Sequence, residues 1–224
     1  MCGEIIEEWQ SMFNNIENAL FDLRADQCIF RGFMEIVESN PALPSNNLFI
    51  VWAWRNYLYT AAMRVRRQIS TDSRDASLVN LLEAIKREPA VLSRQRYASL
   101  FKGAGVLEND SAFINKCFDD LVGEGKQSLS PTDITEDIDC LKKTAGTLHE
   151  YATKIVAHAD KNAESIKTLP TIKDLDDSID LFEKTFNRYY GLLNAGGIGF
   201  PKVANDPWKE IFLRPWKLDK KNLI

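Results

Sequence analysis

The chain has 224 residues, 45% of them hydrophobic and 27% charged, with a formal net charge of -4 at pH 7. That is a globular balance with enough apolar material for one sizeable core. A pI near 5.4 excludes a protein that binds nucleic acid through its bulk charge. No run of eighteen apolar residues occurs, so no membrane span is expected. The acidic opening MCGEIIEEWQ lacks the basic-then-apolar pattern of a secretory signal, which predicts a cytoplasmic protein. Cys2, Cys28, Cys117 and Cys140 are scattered, without a CxxC pair or a neighbouring histidine. They read as free thiols, dispensable for folding, rather than as disulfides or zinc ligands.

In chain order, Ile6, Trp9, Phe13, Ile16, Leu20, Leu23, Phe30, Met34 and Val37 recur at three-four spacing. The period predicts helix over 4–38, either continuous or as two helices joined at Gly32, ended by NPALPS. A second helix is predicted over 46–69, with Leu48, Val51, Leu58, Ala62, Val65 and Ile69 on one face. Arg55 falls inside that stripe, as a paired buried charge or as a sign that the face rotates. SLVNLLEAIKRE then reads as a helix stopped by Pro89. A shorter helix covers LSRQRYASLFK, and another covers 109–122 before GEG. SPTD at 130–133 carries a helix-start signature, with Ser130 as N-cap, Pro131 at the first position and Asp133 in the first turn. From there Ile134, Ile138, Leu141, Ala145, Leu148, Ala152 and Ile155 predict about seven continuous turns. A last helix aligns Leu175, Ile179, Phe182, Phe186, Tyr189 and Leu193 and closes at NAGG, whose glycines read as C-cap and turn residues.

No segment alternates with a period of two. The expected fold is all-α: one domain over 1–224, an antiparallel bundle of long helices. A shorter helical insert is expected over 70–128, with a Pro- and Trp-bearing tail over 196–224 packed on the bundle. Long apolar stripes, too extensive for one chain to cover, predict a homodimer.

Charge is unevenly spread. Residues 55–102 hold ten Lys/Arg against four Asp/Glu, and residues 107–183 hold eight against seventeen. The basic segment reads either as a local phosphate-binding face or as one half of an internal attraction. Within it, Arg64 and Arg67 share a helical face, with Arg66 turned from them, and paired guanidiniums at this spacing can grip phosphate. His149 and His158, nine residues apart, fall on opposite helical faces and cannot share a metal ion within one chain. The carboxylates at 133, 136, 137 and 139 read as a solvated face. GEGKQS lacks the spacing of a phosphate loop. In YATKIVAHAD, Tyr151, Lys154 and His158 line one side of a helix. There an imidazole can move a proton while a lysine holds phosphate oxygens.

The string KIVAHAD at 154–160, with SLVNLLEAI at 77–85 and RPW at 214–216, resembles the HEPN superfamily, and within it the abortive-infection branch of U type. The resemblance implies metal-independent RNase activity in active members, no cofactor, a site shared by two protomers, and a phage-defence or toxin–antitoxin setting with an antitoxin protein as partner. It implies His158 as acid and base and Lys154 as the cation of the string. In active members an arginine and a polar residue precede the histidine by five or six positions. Here those positions are Ala152 and Thr153, neither of which can stabilise a pentavalent phosphate. The expected function is a catalytically degenerate module that binds RNA, a nucleotide or a protein partner. The alternative is a divergent metal-independent endoribonuclease in which Lys154, or Arg64 and Arg67, replaces the missing arginine.

Overall fold

Trp9, Phe13, Ile16, Leu20, Leu23 and Phe30 are buried along α1 (Cys2–Glu38), on the 3.5-residue repeat that keeps one seam facing neighbouring helices. The computed structural model describes residues 2–41, 47–102, 111–157, 168–200 and 207–212, with the side chains of Cys2 and Lys102 excepted. Among the described residues every regular element is helical, and no helix is long and apolar enough to cross a membrane. At 37 residues, α1 is roughly 55 Å long.

Gln27 occupies one position of the α1 seam. Its Nε2 donates to Asp176 Oδ1 at 2.5 Å and its Oε1 accepts from Arg24 Nη1 at 2.6 Å. Arg24 in turn donates to Glu183 and Asp180, and Arg31 to Asp176. Those carboxylates lie on α8 (Ile172–Asn194). Partners move down α8 as they move up α1, so the two helices are antiparallel. Asp22 and Asp26 meet Arg64, Phe30 stacks on Tyr57 at 4.0 Å, and Phe33 meets Phe49. By the same logic α2 (Leu48–Gln68) also runs antiparallel to α1.

Gly32 leaves α1 unbroken. Its role is clearance, because a Cβ there would lie 2.8 Å from Trp208 Cζ2 and 2.9 Å from Lys209 Cε. The turn Pro207–Phe212 thus rests against the glycine, with Lys209 Nζ 3.4 Å from Glu35 Oε2. Gly32→Ala is expected to undock this turn while favouring helix by about 1 kcal/mol. In 5-fluorotryptophan-labelled protein the Trp208 ¹⁹F resonance should move toward its solvent-exposed position. An unchanged resonance would show that the close approach is not limiting.

Asn47 caps α2, its side chain accepting from the Phe49 N–H at 2.9 Å. Its second half buries Leu58, Ala61, Ala62 and Val65. Arg55 is exposed, because the first half presents its apolar stripe outward: Leu48 is 86% exposed and Trp52 52%.

The short helices are not an appendage. In α3 (Leu78–Arg87), Leu78, Val79, Leu81, Leu82 and Ile85 are all fully buried, and the helix packs on α1 and α6. The helices α4 (Arg94–Lys102) and α5 (Ser111–Val122) pack together against α8. Arg94 lies over the Phe118 ring and pairs with Asp119, while Arg96 Nη1 donates to the Leu192 and Leu193 carbonyls at the end of α8. Both arginines are therefore structural.

Ser130 and Asp133 form a full capping box at α6 (Pro131–Thr144). The Ser130 N–H, then Lys126, hold the Asp133 carboxyl down at about 2. Asp137 is not part of a solvated face: it accepts from Arg188 and from the Tyr189 hydroxyl, both at 2.7 Å. The predicted seven-turn helix is broken instead of continuous. It loosens at Ala145 (ψ 0), resumes as α7 (Gly146–Tyr151), and widens to a π-helical turn at Ala152–Ala157. Ile134, Ile138, Leu141, Ala145, Leu148 and Ala152 stay buried throughout, so the apolar stripe survives the interruptions. At the end of α8 the left-handed residue is Ala195 (φ 54), not one of the glycines of NAGG. Its N–H reaches the Gly191 carbonyl at 2.8 Å, and Asn187 Oδ1 accepts from the Ile198 N–H, drawing the chain back along α8.

Candidate functional site

The C-terminal half of α2, the 69–77 loop, α6, α7 and the π-helical turn enclose a groove of about 1070 Å³. Tyr59, Met63, Ile69 and Val156 give it apolar walls. Arg64, Arg66 and Arg67 enter it from α2, Lys142 from α6 and His149 from α7. Two carboxylates at its loop edge are already engaged. Asp75 Oδ2 accepts from the Ser70 hydroxyl at 2.6 Å, and Asp72 is gripped by Arg74 through Nε and Nη2.

Arg64 is loosely held. Its Nη1 is 3.2 Å from Asp22 Oδ2 and its Nε 3.5 Å from Asp26 Oδ2, both long for a charge-assisted hydrogen bond. Nη1 is buried without an aligned acceptor, so proximity supplies attraction there but no hydrogen bond. Arg66, Arg67 and Lys142 have no carboxylate within ion-pair distance among the described residues. Part of the arginine pair is explained by the fold, since cations in a last helical turn favour the dipole by about 0.3–1 kcal/mol each. Lys142 and His149 likewise stand in the last turns of α6 and α7, so the dipoles explain part of each position; what they do not explain is that the ends of three helices meet at one groove.

His149 is exposed by area, yet its pKa is lowered from 6.5, first by partial burial against the wall and then by the Arg66 guanidinium. The unfolded chain thus takes up this proton more readily, so the site's small contribution to stability is intact above pH 6.5 and is lost as pH falls below it. A bound anion reverses the preference by favouring imidazolium. Affinity for a phosphate-bearing ligand should therefore rise as pH falls from about 7.5 to 5.5. Titration calorimetry on wild type and His149→Gln checks this; equal pH dependence in both would contradict it.

The sequence-predicted residues divide. Arg64 and Arg67 stand together in the groove, and Arg66 joins them instead of turning away, its long side chain reaching the same concave surface. Tyr151 lies behind the wall, 7% exposed, with its ring 6.0 Å from Tyr59. Burial and the Tyr59 phenol push its hydroxyl up to about 12. That makes it a core residue and not a ligand contact. Lys154 pairs with Glu150 at 2.6 Å and does not line the groove. His158 lies outside the described residues, as does RPW at 214–216. Lys142 and His149 are what sequence reasoning missed. Seven residues apart, they would share one face of the continuous helix that the sequence predicts, and they still line one groove across the break at Ala145.

The comparisons with family models, curated proteins and solved structures returned no match for this chain.

Proposed function

We propose that the chain is a HEPN-like module, of the abortive-infection or toxin–antitoxin type, that holds RNA or a nucleotide by its phosphates in the α2–α7 groove. The observation that carries this reading is the convergence of Arg66, Arg67 and Lys142, without carboxylate partners among the described residues, on one concave surface beside the loosely held Arg64. Uncompensated cations in a concavity attract polyanions, whereas a solvated structural face interleaves both signs. The dimeric assembly and an antitoxin partner belong to the same reading; the dimer rests on the long apolar stripes and the resemblance, the antitoxin partner on the resemblance alone.

The enzymatic alternative draws on His149. An imidazole kept neutral near pH 7 beside a guanidinium can accept the proton of a ribose 2′-hydroxyl. Against it, Ala152 is fully buried and the Thr153 hydroxyl is buried without a partner among the described residues, so neither position offers a cation to a scissile phosphate. RNA cleavage without divalent metal, assayed on wild type, His149→Ala and His158→Ala, separates the readings. The binding module predicts RNA bound and uncut by all three. Cleavage by wild type that either alanine abolishes would establish the nuclease and its proton-transfer residue.

A further inference from the structure

A second concavity, of about 360 Å³, opens beside the first, and the two share Thr60 and Arg64 as lining residues. Its walls are aromatic: Phe30, Phe33, Trp52 and Tyr57 line it. Trp52 is 52% exposed and stacks with Phe49, itself 58% exposed, at 5.6 Å and 30°. Trp52, Asn56, Thr60, Arg64 and Arg67 follow one another along α2 at steps of four, four, four and three residues. One helix face thus runs without interruption from an exposed indole past the loosely held Arg64 to Arg67, which has no carboxylate partner among the described residues.

From this continuity we infer that the ligand is a single-stranded nucleic acid, RNA in the first instance. Its bases stack on the Trp52 face while its phosphates enter the Arg66–Arg67–Lys142 groove. This rests on the reading of the groove given above and adds the ligand's form and path. Groups that track a single strand need both a cationic channel and exposed rings, because every base has a π face; a paired base in a duplex cannot present it. Fifteen residues of α2 rise roughly 22 Å, which suits about four nucleotides, the short end of known site sizes. Asp26 lines the aromatic concavity next to Arg64, so at that junction the strand turns its bases to the protein and its phosphates to solvent.

The test is equilibrium binding of a fluorescein-labelled hexauridylate and of tripolyphosphate, a probe with phosphates and no base, at about 50 mM salt. Wild type, Trp52→Ala and Arg66→Glu/Arg67→Glu are compared, with light scattering on each. Trp52→Ala should weaken hexauridylate by about 5- to 100-fold and leave tripolyphosphate unchanged, whereas the double glutamate variant should weaken both. Tryptophan emission of wild type should be quenched by hexauridylate and not by tripolyphosphate. If Trp52→Ala binds hexauridylate as wild type does while the double variant fails, the path along α2 is wrong and the groove reading stands. If Trp52→Ala instead halves the solution mass with oligonucleotide affinity unchanged, that face belongs to a second copy of the chain, and the inference is likewise overturned. If wild type binds neither probe, or the double variant binds both as wild type does, the groove reading itself fails and takes the inference with it.

Discussion

Arg66→Glu/Arg67→Glu should lower the affinity for a short single-stranded RNA by about 100-fold at low salt, because two counterion-releasing contacts become two repulsions. The fold should tolerate the change. Both side chains lie on the groove surface without carboxylate partners among the described residues, and what is lost is their favourable position at the end of α2, about 1–2 kcal/mol together. Fluorescence anisotropy with labelled RNA gives the affinity and a thermal melt gives the stability. Retained affinity in a folded double variant would remove the groove from the account.

The second large effect is on stability. Phe186 is fully buried on α8, edge-on to Phe13 at 5.4 Å and to Phe200 at 5.8 Å, and stacked with Tyr190 at 5.6 Å. It ties α1, α8 and the strand of chain leaving α8 to one point. Phe186→Ala removes the ring and leaves a cavity that three fixed neighbours cannot close, at a cost of about 3–5 kcal/mol. Against a typical total of about 5–15 kcal/mol, the urea midpoint should fall by about a fifth or more. A shift of under about 1 kcal/mol would mean that the aromatic cluster repacks.

How much of this was readable from the residues depends on whether the signal was local. The seam of α1 repeats so regularly that Trp9 through Phe30 could be assigned to the core directly, and the Ser130–Asp133 box is a four-residue pattern with one physical outcome. The break after α6 was hidden for the opposite reason. Ala145, Leu148 and Ala152 keep their place on the stripe although the backbone loosens and then widens beneath them. Composition likewise gives no sign that Leu48 and Trp52 face outward, since an apolar stripe does not say whether another element covers it. Gly32 looked like a helix-weakening residue, and its cause lies 176 positions away in Trp208.

The site shows the same division. Spacing alone put Arg64 and Arg67 on a common face. The groove, however, exists only because α7 and the π-helical turn pack against α2, which brings His149 near Arg66 and leaves Lys142 of α6 lining the same surface. The acidic 133–139 run looked uniform in sequence. Tertiary contacts separate it into a cap at Asp133, a half-buried pair at Asp137 with Arg188, and exposed Glu136 and Asp139.

The measurement that bears most directly on the phosphate-binding groove is the salt dependence of RNA affinity, taken as the slope of log K against log salt for the wild-type chain. Arg66, Arg67 and Lys142, without carboxylate partners among the described residues, contribute about -0.7 each on a single strand, which predicts a slope of about -2. Arg66→Ala/Arg67→Ala should leave about -0.7, the part due to Lys142. A slope near zero for wild type, or one that the double alanine variant leaves unchanged, would contradict the assignment of this groove as the phosphate-binding surface.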